Sequence, residues 1–147
     1  DNGSCLFQGT ACDDGNANTS NDIVNADCVC LGTPIAGALQ VTFRVNMSQQ
    51  SVSAQGVHIA GNFQNWDPAA TEMTDGDGDG IFEYTTFLTQ NQTIEYKFIN
   101  GNSWGAGIDE SVPAACATNN NRTLVLRKQM LLLPPTASAL ALHVSPM

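Results

Sequence analysis

Positive charge is scarce in this chain. Lys and Arg number 5 against 14 Asp and Glu, a formal net charge of −9. So few cations exclude an electrostatic footprint for nucleic acid and leave little pull toward anionic lipid. Charge of either sign is thin: Asp, Glu, Lys and Arg make up 13% of the chain, about half the usual share. Solubility therefore rests on Asn, Gln, Ser, Thr and Gly, a neutral surface that suits extracellular settings and neutral ligands such as glycans. Long hydrophobic runs are missing as well. The longest, around Leu131–Leu133, stops at Pro134-Pro135 and is too short to cross a bilayer. Catalytic arrangements are equally sparse. There are 2 histidines, His58 and His143, far apart in sequence, and His58 alternates onto an outward strand face where solvent is expected. No Gly-x-Ser-x-Gly elbow, phosphate loop or His-rich cluster appears. Asp109 and Glu110 are adjacent, so on a strand they face opposite ways rather than form an acid–base pair. No base can be assigned to Cys116. The chain reads as noncatalytic.

What is present divides the 147 residues into one domain with appendages. Residues 1–33 carry five Asp, no Lys or Arg, and four of the five cysteines: Cys5, Cys12, Cys28 and Cys30. Zinc ligands favour C-x2-C pairs, whereas these spacings are C-x6-C-x15-C-x-C, so disulfides are the better reading. Their connectivity stays open at this point. Disulfides place the chain outside the reducing cytosol, and they must hold this block because its apolar residues are too few to do so. Cys116 is left unpaired. Residues 34–38 read as a linker, and residues 127–147 form an apolar tail. The first residue, Asp1, is not an initiator methionine, so a mature product or a piece of a longer chain is expected.

From Leu39 to Leu126 the pattern is strand. Val41, Phe43, Val45 and Met47 alternate with polar neighbours, as do Val57 and Ile59, then Phe82, Tyr84 and Leu88, then Ile94, Tyr96 and Phe98; Leu124 and Leu126 follow. Period-two alternation with one apolar face marks half-buried antiparallel strands. Several short strands separated by Gly- and Asn-rich turns predict an all-β, immunoglobulin-like β-sandwich, preceded by the small disulfide-rich segment. In the tail, Leu140, Leu142 and Val144 suggest one more strand.

Two features carry chemistry. Gly61-Asn-Phe-Gln-Asn-Trp66-Asp-Pro68 follows one strand and Tyr96-Lys-Phe-Ile-Asn-Gly-Asn-Ser-Trp104 runs off another. Each places a Trp just past a strand end in a polar loop, where its face can stack on a pyranose ring while Asn, Gln and Lys bond the hydroxyls. Lys97 points away from the core, opposite Tyr96 and Phe98. The alternative is that both tryptophans fold back to cap the sandwich. The second feature is acidic: Asp75, Asp77 and Asp79, with Gly80 sixth in the run, match the first half of an EF-hand calcium loop, with Glu83 at the ninth position. Thr86 stands where a bidentate Glu belongs, and a Gly-Asp hairpin turn accounts for the same residues. Asp13, Asp14 and Asp22 form another oxygen-rich group, where Ca²⁺ would rigidify a segment without a core.

The run Val57-His-Ile-Ala-Gly-Asn-Phe-Gln-Asn-Trp66, followed by Glu95-Tyr-Lys-Phe-Ile-Asn-Gly-Asn-Ser-Trp104, resembles the early-set immunoglobulin-like glycogen- and starch-binding modules, including those of the AMP-activated kinase β-subunit type. The resemblance implies one glucan site built from two Trp platforms and a strand Lys, here Trp66, Trp104 and Lys97, with Asn100 nearby. A later loop Asn is matched by Asn119 or Asn120. Gly9-Thr-Ala-Cys-Asp-Asp-Gly-Asn16…Cys28-Val-Cys30 resembles a "C-D-D-G-N" cysteine-rich repeat of secreted Bacteroidetes multidomain proteins. In those modules a further cysteine pairs with the counterpart of Cys116, and this chain departs from the pattern after about Val125. Two readings of the tail stand: a frame-shifted or truncated continuation, or a genuine strand that packs in its own subunit or a neighbour's.

The expectation is a noncatalytic, extracellular carbohydrate-binding module for an α-glucan-like glycan. The rival is a structural subunit of an extracellular filament or surface stalk, in which copies of the chain link by adding a strand between neighbouring sandwiches.

Overall fold

The computed structural model describes residues 5–127 and, beyond them, the backbone of residues 140–141 and 145–146. Two sheets form the sandwich. In the first, β3 (Ala38–Asn46) and β6 (Ile81–Thr89) pair antiparallel over their full length, from Ala38 opposite Thr89 to Asn46 opposite Ile81. The second has the order β5 (Glu72–Met73), β4 (Val57–Gly61), β7 (Thr93–Ile99), β8 (Arg122–Val125), all antiparallel. Alternation explains the core. Val41, Phe43, Val45 and Met47 project from the first sheet against Val57, Ile59, Ile94, Tyr96, Phe98 and Leu124 of the second. Phe43 is fully buried and meets the Tyr96 ring edge-on at 4.9 Å, a favoured aromatic geometry. This is the immunoglobulin-like sandwich that the alternation predicts.

The cysteine block holds a hairpin of β1 (Thr19–Val24) and β2 (Cys30–Pro34), with a register shift between Ser20 and Ile23. The disulfides are Cys5–Cys28 and Cys12–Cys30, and Cys116 is free and exposed. Strand β2 runs on through Pro34, so the expected linker is a short turn before β3 begins at Ala38. Asn16 fastens the block to the sandwich, its Nδ2 donating to Thr86 Oγ1 at 3.1 Å and to the Phe87 carbonyl at 3.2 Å.

One expectation fails on the second sheet. His58 is only 5% exposed rather than solvated. Strand β4 is interior, with β5 and β7 on its two sides, and its outward residue Ala60 and the adjacent Ile99 are also buried. The face that alternation assigns to solvent is therefore covered here. Of the strand expected around Leu140, Leu142 and Val144, only the backbone of β9 (Leu140–Ala141) is described, parallel to Val41–Thr42; β10 (Ser145–Pro146) lies parallel to Val45–Asn46. The rest of the tail, on which the frame-shift reading depends, lies outside the described residues. No helix among the described residues is long and apolar enough to cross a membrane.

Candidate functional site

Each residue of the Gly61–Trp66 turn has a separate job. A Cβ on Gly61 would lie 2.6 Å from the Glu95 carbonyl oxygen and 2.8 Å from Phe63 Cε1, so only glycine lets the chain pass between them. Asn62 continues the sheet with its side chain: Nδ2 donates to the Thr93 carbonyl at 3.0 Å and Oδ1 accepts from Glu95 N–H at 3.2 Å. Phe63 stacks on core Phe43 at 5.5 Å and 13° and anchors the turn. Gln64 braces it, Oε1 accepting from Asp67 N–H at 2.9 Å while Nε2 donates to the Asp67 carbonyl at 2.6 Å. Asn65 and Trp66 then take positive φ, 61° and 59°, and Trp66 N–H donates to the Gly61 carbonyl at 2.9 Å. A left-handed tryptophan costs about 1–3 kcal/mol of backbone strain. The surrounding hydrogen bonds hold the indole in that position against the strain.

Trp104 arrives from the loop after β7. The two indoles lie side by side with centroids 6.3 Å apart and planes 46° apart, and Trp104 is 44% exposed. Neither tryptophan belongs to the buried core. Lys97 belongs to the same neighbourhood through Asp109. Its Nζ donates to Asp109 Oδ2 at 3.0 Å, and Asp109 Oδ1 accepts from the N–H of Gly105, the residue after Trp104, at 3.3 Å. Burial works to raise the Asp109 pKa, but the hydrogen bonds from Lys97 and Gly105 outweigh it and hold the carboxyl below its ordinary value. Lys97 thus presents a cation with one partner in place, and its remaining protons can donate elsewhere. Beside it opens a cleft of about 390 Å³ lined by Lys97, Gly105, Asp109, Ser111 and Asn120.

Not every expected residue joins this group. Asn100 is committed to the loop before β4: Oδ1 accepts from Ser53 N–H at 2.8 Å and Nδ2 donates to the Ser51 carbonyl at 2.9 Å. Asn119 is exposed and reaches Glu95 Oε1 at 3.5 Å, whereas its neighbour Asn120 lines the Lys97 cleft. Asp109 and Gln64 join this neighbourhood, a placement that reading the chain missed. For Asp109 the signal is tertiary. Its bridge to Ile99 puts it diagonal to Lys97, but that pairing spans a loop that no local pattern reveals. Glu110 turns to the other side, as adjacent strand residues should. Its carboxylate is buried, accepts from Phe98 N–H at 2.9 Å and pairs with Arg122 at 2.8 Å, whose guanidinium lies 5.4 Å from the centre of the Phe98 ring.

The acidic groups are also placed. Carboxylate oxygens of Asp75, Asp77 and Asp79 lie within 4.8 Å of one another, and so do those of Asp13, Asp14 and Asp22. Either set has the oxygen chemistry of a hard cation such as Ca²⁺. Glu83 is a correction to the first set. It sits within β6, where its carboxylate meets Arg44 at 2.6 Å, because strand pairing aligns it with Arg44 instead of returning it to the loop. Asp75 meanwhile closes its own turn, accepting from Gly78, Asp79 and Gly80 N–H at 2.8–3.1 Å.

The model of carbohydrate-binding module 48, the isoamylase N-terminal domain, matches residues 33–117. Among solved structures, a glycoside hydrolase family 15 glucoamylase from Hypocrea jecorina is similar at 24% identity and a TM-score of 0.47, over 78% of this chain and 18% of that one. The gamma-CGTase of alkalophilic Bacillus clarkii is similar at 22% identity and a TM-score of 0.44, over 74% of this chain and 17% of that one. This chain therefore spans less than a fifth of either. No curated protein matches it. The family match takes in both tryptophan loops, Lys97 and Asp109 and covers more than half of the residues: the chain belongs to the carbohydrate-binding module 48 family, a noncatalytic binding module.

Proposed function

We propose that the chain is an extracellular module that binds α-glucan chains through Trp66 and Trp104, with Lys97 and Asn120 donating to hydroxyl groups. The observation that carries this reading is the indole pair. Two tryptophans 6.3 Å apart and tilted by 46° form a bent platform, which suits a helically curving glucan better than a flat polymer. Stacking supplies affinity through the apolar CH face of each sugar, and Lys97, fixed by Asp109, supplies direction. The two disulfides support an oxidising, extracellular location. Wild-type protein should be retained on glycogen or starch, and Trp66→Ala with Trp104→Ala should sharply weaken retention while the thermal melt stays cooperative. A wild type retained by no glycan on a panel would remove the proposal.

A calcium role at the two carboxylate groups rests on their oxygen spacing. Titration of EDTA-stripped protein tests it, with neither heat nor a thermal shift counting against it. The filament reading has one observation in its favour. Leu6, Phe7, Ile23, Val29 and Leu31, five of the nine exposed large hydrophobics among the described residues, cluster in the cysteine block. Polymers in electron micrographs of the pure protein would support that reading, and a monomer by size-exclusion chromatography would oppose it.

A further inference from the structure

The loop of the cysteine block from residue 14 to residue 18 overhangs β6. Asn16 holds it from one side, and Thr89 Oγ1 donates to Asn18 Oδ1 from the other. Between this loop, β6 and the Gly61–Trp66 turn lies a cavity of about 330 Å³. Its walls include Asp14 and Asn18 of the block, Phe63 and Gln64 of the turn, Thr71, and Tyr84 of β6. Phe63 and Tyr84 are half-buried and leave apolar ring surface at the cavity wall. Among the described residues, the Tyr84 hydroxyl and Asn18 Nδ2 have no hydrogen-bond partner. Thr71 Oγ1 accepts from Gln64 at 3.4 Å, which leaves its own proton free to donate. The lining contains no Lys or Arg, and its one charged group is the Asp14 carboxylate.

We propose that this cleft is a second saccharide site, built jointly by the cysteine block and the sandwich, that takes a short neutral oligosaccharide. Aromatic faces beside unpaired hydroxyl and amide groups are the chemistry that recognises a sugar ring with its hydroxyls. An anionic ligand would meet Asp14 with no Lys or Arg in the lining to offset it. The volume is at the small end for ligand pockets and suits a few sugar units. Gln64 lines this cleft while bracing the turn that carries Trp66, so the two sites share that turn. The ligand class rests on the function proposed above, whereas the contacting residues differ, with Phe63 and Gln64 of the turn as the shared framework.

Isothermal titration with maltotriose tests the cleft. The Trp66→Ala, Trp104→Ala double variant should still bind. Adding Ala17→Trp or Ala70→Trp, at exposed alanines on the cleft wall, should weaken that residual binding by about tenfold or more. Wild type that binds while the double variant does not would overturn the second site and leave the first intact. Residual binding unmoved by either plug would also overturn it, and a wild type that binds nothing would overturn both sites. If the double variant does not fold, amide shift mapping on the wild type decides. Shifts at Asn18, Thr71 and Tyr84 support the cleft, and shifts confined to Trp66, Lys97 and Trp104 refute it.

Discussion

Replacing Gly61 by alanine adds one methyl group where the structure has no room for it. The new Cβ would stand 2.6 Å from the Glu95 carbonyl oxygen, and real Cβ contacts essentially never fall below 3.0 Å, so the backbone must give by about 0.4 Å. The obstacle is backbone of the partner strand, in the stretch where Gly61 is registered with Tyr96, so no side-chain rotation relieves it. The same methyl lies 2.8 Å from Phe63 Cε1 and pushes the ring away from its stack on Phe43. Gly61 itself is extended, with φ of −166°, so the cost is steric and not conformational. Overpacking of this kind costs about 1–3 kcal/mol, and a loss of about 1 kcal/mol lowers Tm by about 4–8 °C in a domain of this size. Gly76→Ala is the internal control. Nothing lies within 4 Å of a Cβ there, so its effect should stay within about 0.5 kcal/mol. Urea denaturation of both variants, with retention on starch measured alongside, checks the argument. Gly61→Ala should lose stability and retention while Gly76→Ala keeps both. Equal midpoints for the two would refute the claim that close approach at Gly61 positions the tryptophan turn.

Arg122→Met leaves the buried Glu110 carboxylate without its cation and should cost about 3–5 kcal/mol in urea unfolding, with much of the loss recovered by adding Glu110→Gln. Asp109 has a lowered folded pKa, so its contribution to stability is complete above the unfolded carboxyl value of about 3.9. That contribution is lost as pH falls through the lower folded value. Urea midpoints across that acid range should fall less steeply in Asp109→Asn than in wild type. Reducing Cys5–Cys28 and Cys12–Cys30 should cost about 2–5 kcal/mol within the block and strip hydrogen-exchange protection from β1 and β2, while Val41–Val45 of β3 stay protected.

The sandwich was legible because its strands carry one apolar face each. Val41, Phe43 and Val45 alternate into the core with a period that no helix shares. Strand β5 was not legible, since two residues are too few to show a period. The β1–β2 hairpin escaped notice because its residues face no core and its register is held by the disulfides and interrupted by a shift. At the site, Trp66, Trp104 and Lys97 were visible from residue type and strand phase. Asn100 was misjudged because proximity in sequence says nothing about its commitment to Ser51 and Ser53. Asp109 went unseen because its role depends on tertiary pairing with Ile99 and Lys97. His58 shows the limit of face assignment: alternation says which side a residue faces but not whether another segment covers that side.

Trp66 and Trp104 are the only tryptophans in the chain, and they are neighbours at the candidate site. Intrinsic fluorescence therefore reports on that site without any label. Titration of the wild type with maltoheptaose should give a saturable change in emission as the sugar displaces water from both indoles. Emission that stays unchanged while the protein remains folded would contradict the account.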